Sequence, residues 1–179
     1  MALDTLRAAE AVTLKDGTSV TLRPIRPDDA QRLQAFHLRL SPQTIYLRWL
    51  SAHPVLTDAE AQALSNVDYT TRMAIVATLL VEGEEHVVGV ARYGVISPNQ
   101  PDEAEAAVVV EDEYQHRGLG SLLLQRLLEY SRAQGIRYWM AEINAENARM
   151  MKFIQRGGLP TTKRLESGSW QIRMDIGKS

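Results

Sequence analysis

The stretch from Ala106 to Tyr130 constrains this chain more than any other. It opens with the apolar run Ala106-Ala-Val-Val-Val110, whose β-branched residues favour a buried strand. An acidic turn, Glu111-Asp112-Glu113, leads into Gln115-His116-Arg117-Gly118-Leu119-Gly120-Ser121. Leu119, Leu122, Leu123, Leu127 and Tyr130 then recur at helical spacing, which sets an apolar stripe along one helix face. The predicted order is strand, glycine-containing turn, helix.

That order has a chemical consequence. The first turn of a helix carries N–H groups without partners and the positive end of the helix dipole. Gly118 and Gly120 lack Cβ atoms, so a ligand can approach the main chain there. The segment 115–121 is therefore predicted to cradle a phosphate or pyrophosphate, with the Arg117 guanidinium adding charge. It is not a P-loop, because Gly120 is followed by Ser-Leu rather than Lys-Ser/Thr. It is not a dinucleotide fingerprint either, because the third glycine position is Leu123.

Composition narrows the choice. With 179 residues, 45% of them hydrophobic, the chain is expected to form one domain over 1–179 with a substantial core. A net charge of -2, with no block of like charge, argues against a dedicated nucleic-acid binder. There is no cysteine. Disulfides, thiolate metal sites and acyl-cysteine intermediates are excluded, so any acyl transfer passes directly from donor to acceptor. The N-terminus has no basic start followed by an apolar core, and no apolar run is long enough to span a membrane. The expectation is a soluble cytoplasmic protein without metal.

Residues 1–10 read as a loose or helical leader. Val12 to Leu22 reads as a hairpin turning at Asp16-Gly17. A helix through about Leu40 follows, capped by Asp28 or Asp29. A second starts at Ser41-Pro42, and a third at the capping box Thr57-Asp-Ala-Glu60. Together they are expected to wall a substrate cleft. Strands are predicted at Arg72–Val81, His86–Ile96, about Glu103–Glu111 and Arg137–Ile143. A helix from Asn147 and a final strand pair, split by Glu166-Ser-Gly168, complete the chain. The alternation fits an α/β fold with a parallel crossover at its centre.

In this context the six residues Gln115-His-Arg-Gly118-Leu-Gly120 resemble the acetyl-CoA signature of the GNAT superfamily of N-acetyltransferases, Gln/Arg-x-x-Gly-x-Gly/Ala. The resemblance covers about Val20 to the end. It implies a GNAT fold: a mixed central sheet of six to seven strands flanked by helices, with a central βα acyl-CoA-binding unit. It also implies acetyl-CoA as cosubstrate. Several segments further resemble the catalytic domain of bacterial Pat-type protein lysine acetyltransferases: Leu22-Arg-Pro-Ile-Arg-Pro-Asp-Asp, Arg39-Leu-Ser-Pro-Gln-Thr-Ile-Tyr-Leu-Arg48, Val67-Asp-Tyr69 with Met73-Ala-Ile-Val-Ala77, and Ala104-Glu-Ala-Ala-Val-Val-Val110. That family implies a lysine ε-amine as acceptor, for example on an acyl-CoA synthetase. A small amine is the alternative acceptor, and an acyl-CoA-sensing module without turnover the non-enzymatic one.

The resemblance assigns roles. Glu105 matches the family's catalytic glutamate, and flanking alanines and valines are expected to desolvate it partly, raising its pKa toward that of a working base. Glu142 on the next strand is the rival base; Glu103 lies nearer the loop. The strand is expected to bulge and free main-chain groups of Val108, Val109 and Val110 for the pantetheine arm, including an oxyanion-type contact. Gln115, His116, Arg117, Gly118, Leu119, Gly120 and Ser121 are expected to hold the pyrophosphate, with the His116 imidazole in solvent and its N–H as donor. Asn147 matches the family's Asn-x-x-Ala/Met-x-x-Phe helix and is read both as a pantetheine ligand and as a helix N-cap. Many relatives carry a tyrosine acid after the aromatic. Here position 154 is isoleucine, as Pat-like domains also commonly lack it.

Overall fold

The computed structural model describes residues 8–177. Most of the predicted leader, residues 1–7, lies outside them; the rest enters the first strand at Glu10. Eight strands form a single sheet: β1 (Glu10–Thr13), β2 (Ser19–Pro24), β3 (Arg72–Val81), β4 (Glu84–Ser97), β5 (Gln100–Val110), β6 (Tyr138–Asn144), β7 (Thr161–Glu166) and β8 (Ser169–Asp175). Their order is β1-β2-β3-β4-β5-β6-β8-β7. The sheet exceeds the predicted six to seven strands because the N-terminal hairpin adds both its strands to one edge. Five helices flank it: α1 (Ala30–Arg39), α2 (Pro42–Trp49), α3 (Asp58–Ser65), α4 (Leu119–Ala133) and α5 (Ala148–Gly157). Among the described residues no helix is long and apolar enough to cross a membrane.

The predicted caps form. The Ser41 hydroxyl accepts from the Thr44 N–H with Pro42 at the first helical position, and Thr57 and Glu60 close a reciprocal capping box. Asp29 does not cap α1. Its carboxylate is fully buried, accepting two hydrogen bonds from the Arg23 guanidinium at 2.7 and 2.8 Å and one from the Arg26 N–H at 2.8 Å. Arg23 also reaches Glu85 at 2.9 Å. The charges of Arg-Pro-Ile-Arg-Pro-Asp-Asp thus tie β2, the start of α1 and β4 together.

The two sheet faces are covered differently. Helix α4 lays Leu119, Leu123, Leu127 and Tyr130 against Met73, Ile75, Ala91, Tyr93, Ala104 and Ala106. It sits so close that a Cβ on Gly89 would meet Leu123 Cδ1 at 2.9 Å, so a larger residue there would push the Leu123 side chain aside. Helices α1, α2 and α3 pack Leu33, Phe36, Ile45 and Ala61 over Ala74, Val76, Val87 and Val90 on the other face.

The feature that positions the site is a fork. Strand β5 pairs in parallel with β6 only at Glu103–Tyr138, Ala104–Trp139 and Glu105–Met140. Beyond Glu105 the two strands separate. β6 continues against β8, and β5 continues against β4 alone as far as Val110. The expected bulge in β5 is absent. Its register with β4 is unbroken from Ala104 to Val110 and shifts only between Val95 and Ser97. Loss of the β6 neighbour is what frees one edge of β5.

Candidate active site

The ladder decides which main-chain groups face the fork. The Glu111 N–H donates to the Val88 carbonyl at 2.9 Å. Alternation in an antiparallel pair then directs the N–H and C=O of Val109 toward Val90, and those of Ala106, Val108 and Val110 away from β4. Val108 and Val110 therefore offer main-chain groups to the fork. Val109 contributes its side chain to the cleft lining. The Val110 carbonyl is engaged by Gln115 Nε2 at 2.9 Å.

The predicted turn lies beside this edge. Gly118 is the N-cap of α4 with φ 90, a left-handed conformation that glycine adopts without Cβ strain. Ser121 and Leu122 are the first residues whose N–H groups reach back to the Gly118 carbonyl, at 3.1 and 3.2 Å. The N–H groups of Leu119 and Gly120 precede any carbonyl the helix can supply. A Cβ on Gly120 would meet only Val110 and Phe153, at 3.8 and 3.9 Å, so this glycine is needed less by its neighbours than by what enters the cleft.

The cleft has a volume of about 490 Å³, within the range of small-molecule sites. Of the predicted residues, Val108, Val109, Val110, Gln115, His116, Gly118, Gly120, Ser121 and Asn147 line it. Arg117 and Leu119 do not. The Arg117 guanidinium turns to the Asp16 carboxylate of the β1–β2 hairpin and lies over the Tyr114 ring. Its charge is therefore compensated within the chain rather than held ready for a phosphate. Leu119 is buried under the sheet. Asn147 caps α5, its Oδ1 accepting from the Met150 N–H at 3.0 Å, which leaves its amide NH2 available to a ligand. His116 is exposed at φ 64, its Nε2 at 3.2 Å from Arg149.

Sequence reasoning missed the cleft's charge. Lys15, Arg48, Arg149, Lys152 and Arg156 all line it, and among the described residues no Asp or Glu does. In a chain of net charge -2 that concentration selects for a polyanion. Arg149, Lys152 and Arg156 recur at helical spacing after Asn147, a legible signal. Lys15 was not legible: its N–H donates to the Arg117 carbonyl at 3.2 Å, docking the distant hairpin onto the glycine turn.

The acidic turn after β5 proves to be a brace. Glu111 is buried and pairs with Arg39 at 3.0 Å, and Arg39 also donates to the Val87 carbonyl at 2.7 Å. Asp112 accepts from the Ser41 N–H and hydroxyl and from the Thr44 hydroxyl, between 2.7 and 2.9 Å. These contacts fix α2 across the mouth of the cleft, where Thr44, Leu47 and Arg48 join the lining.

Glu105 stands at the crotch of the fork, opposite Gly94 on one side and Met140 on the other. It is exposed, so the expected burial among alanines and valines does not occur. Ala104 and Ala106 point into the core instead. Glu103 is spent on Arg173 at 2.9 Å. Glu142 is exposed on β6 opposite Gln171 and does not line the cleft. Position 154 packs against the core beside Met150 and Met151.

The comparisons with known proteins agree with this geometry. The model of the acetyltransferase (GNAT) family matches residues 42–158. A Pseudomonas aeruginosa protein named acetyltransferase PA5475 is 34% identical over 138 residues, 77% of this chain and 73% of that one. Acetyltransferase Pat of Mycolicibacterium smegmatis is 31% identical over 147 residues, 82% of this chain but only 43% of that longer protein. The crystal structure of the GNAT domain of S. lividans PAT superposes with a TM-score of 0.83 at 29% identity, covering 93% of this chain and 96% of that one. With its forked sheet, its glycine turn at a helix start and these relatives, the chain belongs to the GNAT family of acetyltransferases, whose members use acetyl-CoA.

Proposed function

We propose that this protein transfers an acetyl group from acetyl-CoA to the ε-amine of a protein lysine, by direct attack, with Glu105 as the base. The observation that carries the reading is the position of Glu105, the last β5 residue paired with β6 before main-chain groups of the same strand open onto a cationic cleft. Val108 lies three residues on, about 10 Å along the strand. A base at one end of that interval and a thioester held near the other suit an acceptor entering between them.

The residues fit acetyl-CoA. Lys15, Arg149, Lys152 and Arg156, with the main-chain N–H groups of Leu119 and Gly120, suit its phosphates. The free edge at Val108 and the Asn147 amide suit its pantetheine arm. A freed N–H on that edge is suited to polarise the thioester carbonyl. Glu105 takes the proton that a lysine ammonium must lose, because only the neutral amine attacks. Without cysteine the chain forms no acyl-thioester of its own.

Two features favour lysine on a protein over a small amine. Glu105 is exposed at the rim rather than enclosed, which suits an acceptor that inserts only a side chain. The chain also resembles proteins named Pat. Incubating acyl-CoA synthetases and a panel of small amines with acetyl-CoA, with mass spectrometry as readout, tests this. Lysine adducts 42 Da heavier, about the mass of an acetyl group replacing a proton, are expected on the proteins. Acetylated small amines without protein adducts would overturn the protein assignment.

A further inference from the structure

Three guanidiniums on the sheet face beside Glu105 lack counter-ions among the described residues. Arg72 on β3 and Glu105 on β5 both stand directly opposite Gly94 on β4. Opposed residues share a face, so the two side chains flank a gap that Gly94 leaves open. Arg92, two residues before Gly94 on the same strand, projects from the same face, between Ala74 and Ala107. It is a diagonal neighbour of both Arg72 and Glu105, at about 7–8 Å. Arg48 reaches the area from the last turn of α2, its guanidinium 5.0 Å from the centre of the Trp49 ring.

Their internal bonds do not explain the grouping. Arg92 donates to the Leu64 carbonyl and Arg72 to the Asn66 carbonyl, each at 3.2 Å, at the C-terminal end of α3. That accounts for one N–H of the five on each guanidinium. Arg48 makes no hydrogen bond or ion pair among the described residues. None of the three lies within ion-pairing distance of a carboxylate there. Asp68, the nearby acid on the connecting turn, is occupied by the Thr70 and Arg72 N–H groups and the Thr71 hydroxyl. Burial, then repulsion from Arg48 and Arg72, pulls the Arg92 pKa down to about 9, the mark of a cation set among cations without a partner. Burial lowers that of Arg48 too, with only the Glu105 charge opposing it.

We propose that Arg48, Arg72 and Arg92 recognise the acceptor, and that the acetylated amine belongs to a molecule carrying a carboxylate close to that amine, held by these guanidiniums while the amine faces Glu105. This rests on the acetyltransferase reading and specifies its substrate. A bare ammonium approaching Glu105 meets more positive than negative charge and is repelled. A carboxylate brought with it reverses the sign and completes the site. On a protein, the shared chemistry is an Asp or Glu beside the lysine. On a small molecule, it is an amino acid's own carboxylate.

The test uses single-lysine peptides in which one Glu is walked over three positions on each side of the lysine, each with a Gln twin, together with 6-aminohexanoate against hexylamine. Binding to the CoA-loaded protein is measured by calorimetry, and acetyl transfer by thiol release. At least one Glu peptide is expected to bind tenfold or more tightly than its twin, with the gain in KM rather than kcat. Arg92→Gln and Arg48→Gln should each bring that ratio near one. Gly94→Val should weaken both twins by filling the gap, with acetyl-CoA binding unchanged. A Cβ there meets only the Arg72 stem, at Cγ, 3.9 Å away, so this variant fills the gap while keeping all three guanidinium charges. Discrimination by 6-aminohexanoate alone assigns the carboxylate to a small acceptor. Equal affinity within every pair overturns the proposal. Discrimination in binding with no transfer to any amine overturns the acetyltransferase reading instead.

Discussion

Replacing Glu105 with glutamine is expected to lower kcat/KM for acetyl transfer at pH 7 by about 10²–10⁴-fold, the usual contribution of a general base. Glutamine keeps the shape and position at the fork but accepts no proton. The affinity for acetyl-CoA should stay unchanged, because Glu105 is not among the residues lining the cleft. The defect should also shrink as the pH rises toward 10, where a lysine amine, with an ordinary pKa of about 10.4, loses its proton unaided. Initial rates against pH for both proteins check this. A Glu105→Gln enzyme with full activity at pH 7 removes Glu105 from the chemistry and directs attention to Glu142.

The second large effect concerns stability. Asp29→Ala is expected to destabilise the fold by about 3–5 kcal/mol, the cost of leaving one member of a buried ion pair without its partner. Arg23 and Asp29 are 3% and 0% exposed, so water cannot replace the missing carboxylate. Glu85, the remaining partner of Arg23, is itself partly solvated at 26% exposure. Burial works to raise the Asp29 pKa, but the Arg23 guanidinium and the Arg26 N–H outweigh it and hold the carboxyl below its usual range. The sign follows. A carboxylate whose folded pKa is depressed contributes stability that is full above its unfolded pKa, near 4, and is lost as the pH falls through the folded value. Glu85 and Asp112 are lowered as well, so acidification below about pH 4 should unfold the wild type progressively. Asp29→Ala should show a shallower acid dependence from a lower starting stability. Urea denaturation at pH 7 and pH 3.5 measures both. An unchanged midpoint for Asp29→Ala would mean that the pair does not hold β2 to α1.

Much of this was legible in the chain. The Ser41-Pro42 start and the Thr57–Glu60 box are local chemistry, and each helix begins where its cap dictates. The leucine stripe of α4 followed from spacing, and the glycine turn before it from residue type. Neighbours distant in sequence were not legible. The place of Arg117 in the glycine turn predicts that it faces an anion; Asp16 is instead brought to it by the hairpin, from 101 residues away. The apolar sequence neighbours of Glu105 predict a shielded carboxylate. In a strand those neighbours point to the opposite face, and Glu105 is exposed where β6 turns away. The fork itself is a property of strand pairing, which no local pattern encodes. The cations at 48, 72 and 92 come from three different elements, so only the sheet register brings them together.

If the cleft between the open edge of β5 and the start of α4 holds acetyl-CoA, a crystal structure of the complex will show the cofactor there. The pyrophosphate should lie against the main-chain amides of Leu119 and Gly120, among Lys15, Arg149 and Lys152, with the pantetheine arm running along Val108 toward Glu105. Acetyl-CoA bound elsewhere, or a cleft still empty at saturating acetyl-CoA, would mean that this cleft is not the cofactor site.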